Sequence, residues 1–131
     1  MSETVISAKN VWKLFGAKPE AYLKQMPEGH SYEEIQADGY IAGVKDVSVD
    51  VSRGEMLVVM GLSGSGKSTL VRCFSRLHEI TGGTIEVEGD DLGSMSEKEL
   101  IELRRSKMGM VFQSFGLLPN RTVLQNVAFP L

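Results

Sequence analysis

The sequence has little cysteine, no long apolar run and no excess of basic residues, and each shortage excludes a class of protein. A single cysteine, Cys73, allows no internal disulfide, which fits a reducing compartment. No apolar run approaches the roughly 20 residues of a membrane-spanning helix, and the first residues lack the basic and then apolar pattern of a signal peptide. We therefore expect a protein that is soluble, or held at a membrane only through a partner.

Charge and length limit the partners and the architecture. The 14 basic and 17 acidic residues give a formal net charge of −3, which disfavours nucleic acid as the main partner. A chain of 131 residues forms one domain at most, or a piece of one. Cys73 is predicted to be a small buried side chain rather than a reactive thiol.

Residues 61–69, Gly-Leu-Ser-Gly-Ser-Gly-Lys-Ser-Thr, match the phosphate-binding loop pattern. Glycines allow backbone N–H groups to approach a polyphosphate closely, and the following helix directs its positive dipole end at the same place. Lys67 would supply charge near the outer phosphates, and the Ser68 hydroxyl would reach Mg²⁺. The predicted phosphate-binding residues are Gly61, Ser63, Gly64, Ser65, Gly66, Lys67, Ser68 and Thr69.

The flanks of residues 61–69 favour a binding loop over the alternative, a glycine- and serine-rich turn that binds nothing. The apolar run Met56–Met60 predicts a strand buried on both faces directly before the loop. After it, Leu70, Cys73, Phe74 and Leu77 follow the spacing of one helical face.

Local patterns predict further elements along the chain. Two capping boxes, Ser31–Glu34 and Ser96–Glu99, each predict the start of a helix. Residues 17–39 are predicted to be an acidic, exposed helical insertion. Strands are predicted at Val5–Val11, Val47–Ser52, Ile85–Val87 and Met108–Phe112. One helix is predicted to begin at Pro19 and another at Thr122, and the helix that begins at Ser96–Glu99 is predicted to end at about Lys107. Turns are predicted at Ser52–Glu55, Thr81–Gly83 and Gly89–Asp91. His30 and His78 are expected to be solvated surface residues.

Residues 109–119, Gly-Met-Val-Phe-Gln-Ser-Phe-Gly-Leu-Leu-Pro, place Gln113 directly after a predicted apolar strand. This stretch, together with the phosphate loop, resembles the glutamine loop of ABC-transporter ATP-binding subunits. The resemblance implies that Gln113 contacts Mg²⁺ or the attacking water, and that residues 114–123 face a membrane permease. Taken alone, without the phosphate loop and the residues that follow it, Gln113 would be better interpreted as a solvated amide at the end of a strand.

The resemblance extends to the start of the chain. It implies that Phe15 stacks on adenine; the alternatives are that Phe15 is a core aromatic, or that Trp12 takes this role. The insertion at 17–39, residues 43–48 and residues 115–123 look like the subfamily that imports glycine betaine, proline and related quaternary amines. The implied fold is α/β, a P-loop NTPase core of ABC type preceded by an antiparallel β portion, with residues 1–131 as the N-terminal part of one ATP-binding domain.

The same resemblance implies ATP and Mg²⁺ as cofactors, a second ATP-binding subunit and an integral-membrane permease as partners, and a position at the cytoplasmic face of the membrane. A complete family member continues with the signature motif, an acidic metal-binding strand and a switch histidine, which this sequence does not contain. We therefore expect weakened nucleotide binding, negligible hydrolysis by this chain alone and an exposed apolar sheet edge or face. A non-catalytic regulatory fragment and a small P-loop metabolite kinase are the alternative functions.

Overall fold

The computed structural model describes residues 3–62, 64–111 and 116–129. Two compact units are distinguished, Met1–Ser94 and Met95–Leu131, and each is described by itself. The first unit holds the sheet, the insertion and the phosphate loop. The second unit holds two helices.

A four-stranded antiparallel sheet organises the first unit, with strand order β2-β1-β3-β4. Its strands are β1 (Thr4–Phe15), β2 (Ile41–Ser52), β3 (Gly82–Val87) and β4 (Asp90–Asp91). Strand β1 lies between β2 and β3, with Ala8 opposite Val49 on one side and Ile85 on the other. The predicted strands at 5–11, 47–52 and 85–87 are confirmed, and β1 continues to Phe15.

Irregular pairing sets which residues of β1 reach the core. Ala8, Val11 and Leu14 are buried at a spacing of three, whereas a regular strand alternates with a period of two. The register shifts between Ala8 and Val11, where Asn10 has φ +50°. A bulge of this kind re-aims the side chains that follow it. As a result, β1 ends with Leu14 in the core and Phe15 partly exposed.

The insertion between β1 and β2 forms two short helices, α1 (Pro19–Gln25) and α2 (Tyr32–Ala37), as predicted. Pro19 occupies the first turn of α1, where its missing N–H costs nothing. At α2, the Glu34 N–H donates to Ser31 Oγ at 3.1 Å, which is one half of the predicted capping box. The Glu34 carboxylate lies 2.6 Å from His30 Nδ1, and Ile35 anchors the helix in the core.

A polar network ties the two insertion helices together, so the expectation that His30 is a solvated residue is wrong. His30 lies between the carboxylates of Glu34 and Asp38, and its side chain is 16% exposed. Asp38 also accepts a hydrogen bond from Tyr22 Oη at 2.7 Å, and the Tyr22 ring stacks on Tyr40 at 4.2 Å.

After the phosphate loop comes α3 (Lys67–Phe74), which buries Leu70 and Cys73 as predicted. The helix ends earlier than expected, because Arg76 adopts φ +56° and the Leu77 N–H bonds back to Arg72 O. A left-handed residue just past the last turn is a common helix stop. Leu77 consequently lies outside the helix and is exposed.

Two predicted strands are absent from the described residues. Met56–Met60 forms neither helix nor strand, and Met56 is 87% exposed. Residues 108–111 likewise form no strand, and Val111 is 98% exposed. A strand buried in a parallel sheet needs a neighbour on each edge, and no described segment pairs with either run. The apolar side chains of residues 56–60 are exposed, but this segment is not part of the sheet, so the expected apolar sheet edge or face stays a prediction.

Between β3 and the second unit, the chain differs from prediction in detail only. Strand β3 already includes Gly82 and Gly83, which were expected to form a break. The hairpin from β3 to β4 turns at Glu88 and Gly89, both with positive φ, rather than at Asp90–Asp91. A 3₁₀ turn at Leu92–Ser94 closes the first unit and buries Leu92.

The second unit contains α4 (Glu97–Ser106) and α5 (Val123–Ala128). Complete capping boxes begin both helices: Ser96 with Glu99, and Thr122 with Gln125. Asn126 fastens the preceding segment to α5, because its Oδ1 accepts from Leu118 N–H and its Nδ2 donates to Thr122 O. In the part of the chain that the structure describes, no helix is long and apolar enough to cross a membrane.

Candidate functional site

The predicted phosphate loop leads directly into α3. Gly64 and Gly66 have φ +83° and +96°, a region that glycine enters without the steric cost other residues meet. The Ser65 N–H donates to Leu62 O at 3.0 Å and closes a tight turn within the loop. The sequence pattern therefore predicted correctly where the backbone must bend. Ser63 lies outside the described residues.

The N-terminus of α3 differs from the other helix starts because neither a capping side chain nor an acidic residue lies beside its first backbone N–H groups. Its N-cap is Gly66, which offers no side-chain acceptor, and its first turn contains no acidic residue. By contrast, α1, α2 and α4 begin with an acidic first turn, and α5 has a capping box. The first N–H groups of a helix have no intrahelical partner and carry the positive end of its dipole. This arrangement is suited to an anion.

Lys67 folds back over the loop. Its Nζ donates to Gly61 O at 2.8 Å and to Leu62 O at 3.2 Å. The ammonium group is thereby held at the mouth of the loop by carbonyl oxygens. An anion entering the loop would meet a positive charge that is already positioned.

Strand β2 supports the loop from behind. A Cβ atom on Gly66 would overlap the carbonyl oxygen of Gly43, so the two backbones are in direct contact. A Cβ atom on Gly43 would lie 2.7 Å from Phe15 Cε2 and 2.9 Å from Thr69 Cγ2. Two glycines thus let the loop, β2 and the end of β1 approach closely. Gly43 was not among the predicted site residues, and only its place in the motif 43–48 marked it.

Phe15 is brought to the loop, whereas Trp12 is not. The Phe15 ring is 37% exposed and lies against Gly43, beside Thr69 of the loop. Trp12 pairs with Gly82 in the sheet, on the side where Leu23 of α1 also packs. Of the two aromatic candidates, Phe15 is therefore the one near the phosphate loop.

Two neighbours surround the Phe15 ring. Lys13 Nζ lies over one face at 5.0 Å from the centroid, and His78 meets the ring edge-on at 5.6 Å. Burial, together with the nearby charges of Lys13 and Arg72, holds the pKa of His78 below its usual range. His78 therefore remains neutral at pH 7 and packs as an aromatic neighbour of Phe15. A purine on this ring would displace the Lys13 ammonium or use the opposite face.

Groups of metal-ligating side chains are not found in the described part of the chain, where no cluster of three or more His, Cys, Asp or Glu residues could hold a metal ion. The predicted metal contacts are Ser68, at the second position of α3, and Gln113. Gln113 lies outside the described residues, so its predicted role in positioning Mg²⁺ or water stays a prediction.

Known proteins that are similar to this chain agree with the resemblance found in its sequence. The family model described as ABC transporter matches residues 44–129. The chain is 75% identical over 131 residues to the trimethylamine N-oxide transport system ATP-binding protein TmoW of Ruegeria pomeroyi, covering 100% of this chain and 38% of that protein. It is 48% identical over 125 residues to the glycine betaine/proline betaine transport system ATP-binding protein ProV of Escherichia coli, covering 95% and 31%.

A solved structure agrees with the fold. The ATP-binding cassette MJ0796, in its dimeric post-hydrolysis state bound to ADP and Pi, matches with a TM-score of 0.70 at 32% identity. The match covers 95% of this chain and 46% of the cassette. The predicted α/β cassette fold and the predicted resemblance are confirmed. The chain spans less than half the length of these relatives. It belongs to the ABC transporter family, where it is similar to part of the ATP-binding subunits.

Proposed function

We propose that this chain binds ATP with Mg²⁺ through residues 61–69, and that the protein of which it forms part powers a solute importer. The observation that carries the proposal is the open N-terminus of α3, preceded by two glycines at positive φ and backed by Gly43. These residues fit a polyphosphate, because the helix start offers unpaired N–H donors and the lysine supplies charge.

Individual residues receive distinct roles. Lys67 neutralises the outer phosphates, the N–H groups of Gly64 and of residues 66–69 donate to phosphate oxygens, and the Ser68 hydroxyl is available to Mg²⁺. Phe15 supplies the aromatic face for adenine, about 1–3 kcal/mol where base stacking on an aromatic residue has been measured. Bound Mg²⁺ would offset charge on the phosphates.

Calorimetry of ATP·Mg²⁺ binding to the whole chain tests the nucleotide proposal. Saturable binding is expected, and Lys67→Ala should weaken it by more than about tenfold, since a charge-assisted hydrogen bond contributes about 1.5–3 kcal/mol. Lys9→Ala is the matched control, because Lys9 is an exposed lysine of β1 away from the loop. Equal affinity in the Lys67→Ala and Lys9→Ala variants would contradict the proposal.

Hydrolysis by this chain alone should be negligible. The signature motif, the acidic metal-binding strand and the switch histidine of the family are not in this sequence, and positioning of the nucleophile is central to phosphoryl transfer. Phosphate release should therefore stay at background in the wild-type chain. A steady release that disappears in Lys67→Ala would contradict this expectation.

The solute is proposed from the relatives. Proteins 75% and 48% identical are named for transport of trimethylamine N-oxide and of glycine betaine or proline betaine. Each of these solutes carries a fully substituted nitrogen, and we propose a solute of this class. Uptake of labelled trimethylamine N-oxide and glycine betaine by cells whose parent gene carries Lys67→Ala tests the assignment. Unchanged uptake of both solutes would refute it.

A permease contact is proposed at residues 114–123. In the described part of this segment, Leu117 is 80% exposed and Val123, the first residue of α5, is 82% exposed. Leu124, which directly follows the segment, is 76% exposed. Apolar side chains clustered at a surface are typical of an interaction site. Leu117→Asp should abolish co-purification with the permease, whereas Lys98→Asp, on exposed α4 surface, should not. Co-purification of the Leu117→Asp variant would argue against this contact.

A further inference from the structure

The insertion reaches the phosphate loop through one side chain, Tyr32. Tyr32 is the first residue of α2, and its ring lies under the ammonium group of Lys45, 5.1 Å from Nζ to the centroid. Lys45 lies on β2, two residues beyond Gly43, whose backbone supports the loop. An aromatic face attracts a cation at this distance. The ring therefore favours this position of the Lys45 ammonium.

A cavity of about 150 Å³ connects this pair to the loop. Tyr32, Gly43 and Lys45 contribute to its lining together with Ser65, Gly66 and Lys67. The insertion and the phosphate loop thus border the same space. Charge introduced into that space is within reach of two lysines rather than one.

Among the described residues, Lys45 makes no ion pair with a carboxylate. The ion pairs in that part of the chain involve His30, Arg53 and Arg76, whereas the Lys45 ammonium lies over the ring of Tyr32. The Lys45 ammonium is partly buried beside residues 61–69, and no described carboxylate neutralises it. It is therefore available to an anion bound by that loop. An aromatic ring orients such a cation without cancelling its charge.

We propose that Lys45 is a second cation for the nucleotide phosphates and that Tyr32 is its positioning residue. This inference rests on the proposed binding of ATP by residues 61–69. It gives the insertion at 17–39 a function, because the helix α2 that carries Tyr32 then sets how firmly the phosphates are held. Loss of order in the insertion would weaken nucleotide binding without any change in the loop.

The test compares two ligands on the whole chain by calorimetry: ATP·Mg²⁺, and tripolyphosphate with Mg²⁺, which lacks adenosine. Lys45→Met keeps the length of the side chain and removes its charge, so both affinities should fall about tenfold. Lys45→Arg keeps charge and ring contact and should retain both affinities. Lys9→Met is the control for loss of a positive charge from the same unit and should leave both unchanged.

Variants of Tyr32 separate positioning from folding. Tyr32→Leu removes the ring and should weaken both ligands about threefold, whereas Tyr32→Phe keeps the ring and should bind as wild type. In the Lys45→Met background, Tyr32→Leu should have no further effect, because the ring then has no cation to hold. Affinity should also depend less on salt in Lys45→Met than in wild type.

The results separate the proposed role of Lys45 and Tyr32 from the proposed binding of ATP by residues 61–69. If Lys67→Ala loses ATP binding while Lys45→Met binds both ligands as Lys9→Met does, the Lys45 inference is overturned and the ATP site stands. If Tyr32→Leu weakens binding equally with and without Lys45, Tyr32 does not act through Lys45 and its positioning role is overturned. If the wild-type chain binds neither ligand, both proposals fall together.

Discussion

Replacing Gly66 by alanine tests the contact between the phosphate loop and β2. Gly66 has φ +96°, where an alanine is strained, and its Cβ would overlap the carbonyl oxygen of Gly43. Backbone strain of this kind costs about 1–2 kcal/mol. Forcing two backbones apart adds about 1–3 kcal/mol, by analogy with overpacking in cores. Gly66→Ala should therefore lower the free energy of unfolding by about 2–5 kcal/mol.

Two other glycines supply matched controls for this strain. Gly64 in the loop and Gly54 in the turn after β2 have φ +83° and +76°, and an added Cβ meets nothing within 4 Å at either. Gly64→Ala and Gly54→Ala should each cost only the strain, about 1–2 kcal/mol. Urea denaturation followed by circular dichroism measures all three. A Gly66→Ala cost no larger than that of Gly64→Ala would refute the backbone contact.

ATP·Mg²⁺ binding should distinguish the substitution in the loop, Gly66→Ala, from the substitution in the turn after β2, Gly54→Ala. Gly54→Ala should bind ATP·Mg²⁺ as wild type, because Gly54 lies in the turn at Ser52–Glu55. Gly66→Ala should lose binding, since the shifted backbone no longer presents the N–H groups of α3. Full binding by Gly66→Ala would contradict the proposed role of that backbone.

Three further outcomes follow from named contacts. Withdrawal of the Tyr22 ring from water and the hydrogen bond from Tyr22 to Asp38 raise the pKa of Tyr22 to about 12. The contribution of neutral Tyr22 to the free energy of unfolding is therefore complete below about pH 10 and is lost as the pH rises through about 12. Tyrosinate absorbance should show a titration step near pH 12 that moves to lower pH in Asp38→Asn, and a step that does not move would contradict the contribution of Asp38. Burial raises the pKa of Cys73, so alkylation at pH 8 should be slow until urea unfolds the chain, and rapid alkylation of the native chain would disprove its burial. Phe15→Ala should weaken ATP binding by about 1–3 kcal/mol while Trp12→Phe leaves it unchanged, and the reverse order would assign stacking to Trp12.

Local signals in the sequence predicted the helix starts well. The predicted box at Ser96–Glu99 forms completely, because every group involved lies within four residues of its partner. A complete box also forms at Thr122–Gln125, where only the start of a helix was predicted. At Ser31–Glu34 only one bond forms, since the Glu34 carboxylate contacts His30 instead. A competing partner outside the motif is not visible in the motif itself.

Strand prediction failed for an apolar segment that pairs with no other strand among the described residues. Met56–Met60 has the composition of a buried strand, yet its backbone finds no strand neighbour among the described residues. An apolar run predicts burial only if other strands are present to flank it. In contrast, β1 was predicted correctly, and its neighbours β2 and β3 both lie within the sequence.

The motif at residues 61–69 indicated where the backbone bends, at Gly64 and Gly66, because it specifies local backbone geometry. It did not indicate which residues elsewhere in the chain contact that segment. The contact of Gly66 with Gly43, and the hold of Tyr32 on Lys45, join segments distant in sequence and depend on the fold. Likewise, only the fold distinguishes Phe15 from Trp12, since the two lie three residues apart on one strand.

An NMR titration of the backbone amides with ATP·Mg²⁺ shows directly whether α3 and the loop before it bind an anion. Large, saturable shifts are expected for the amides of residues 64–69, with those of Ser68 and Thr69 among them. The amides of the turn at Ser52–Glu55 should be unaffected. Shifts confined to other residues, or none at residues 64–69 on saturation, would show that α3 and its loop are not an anion site.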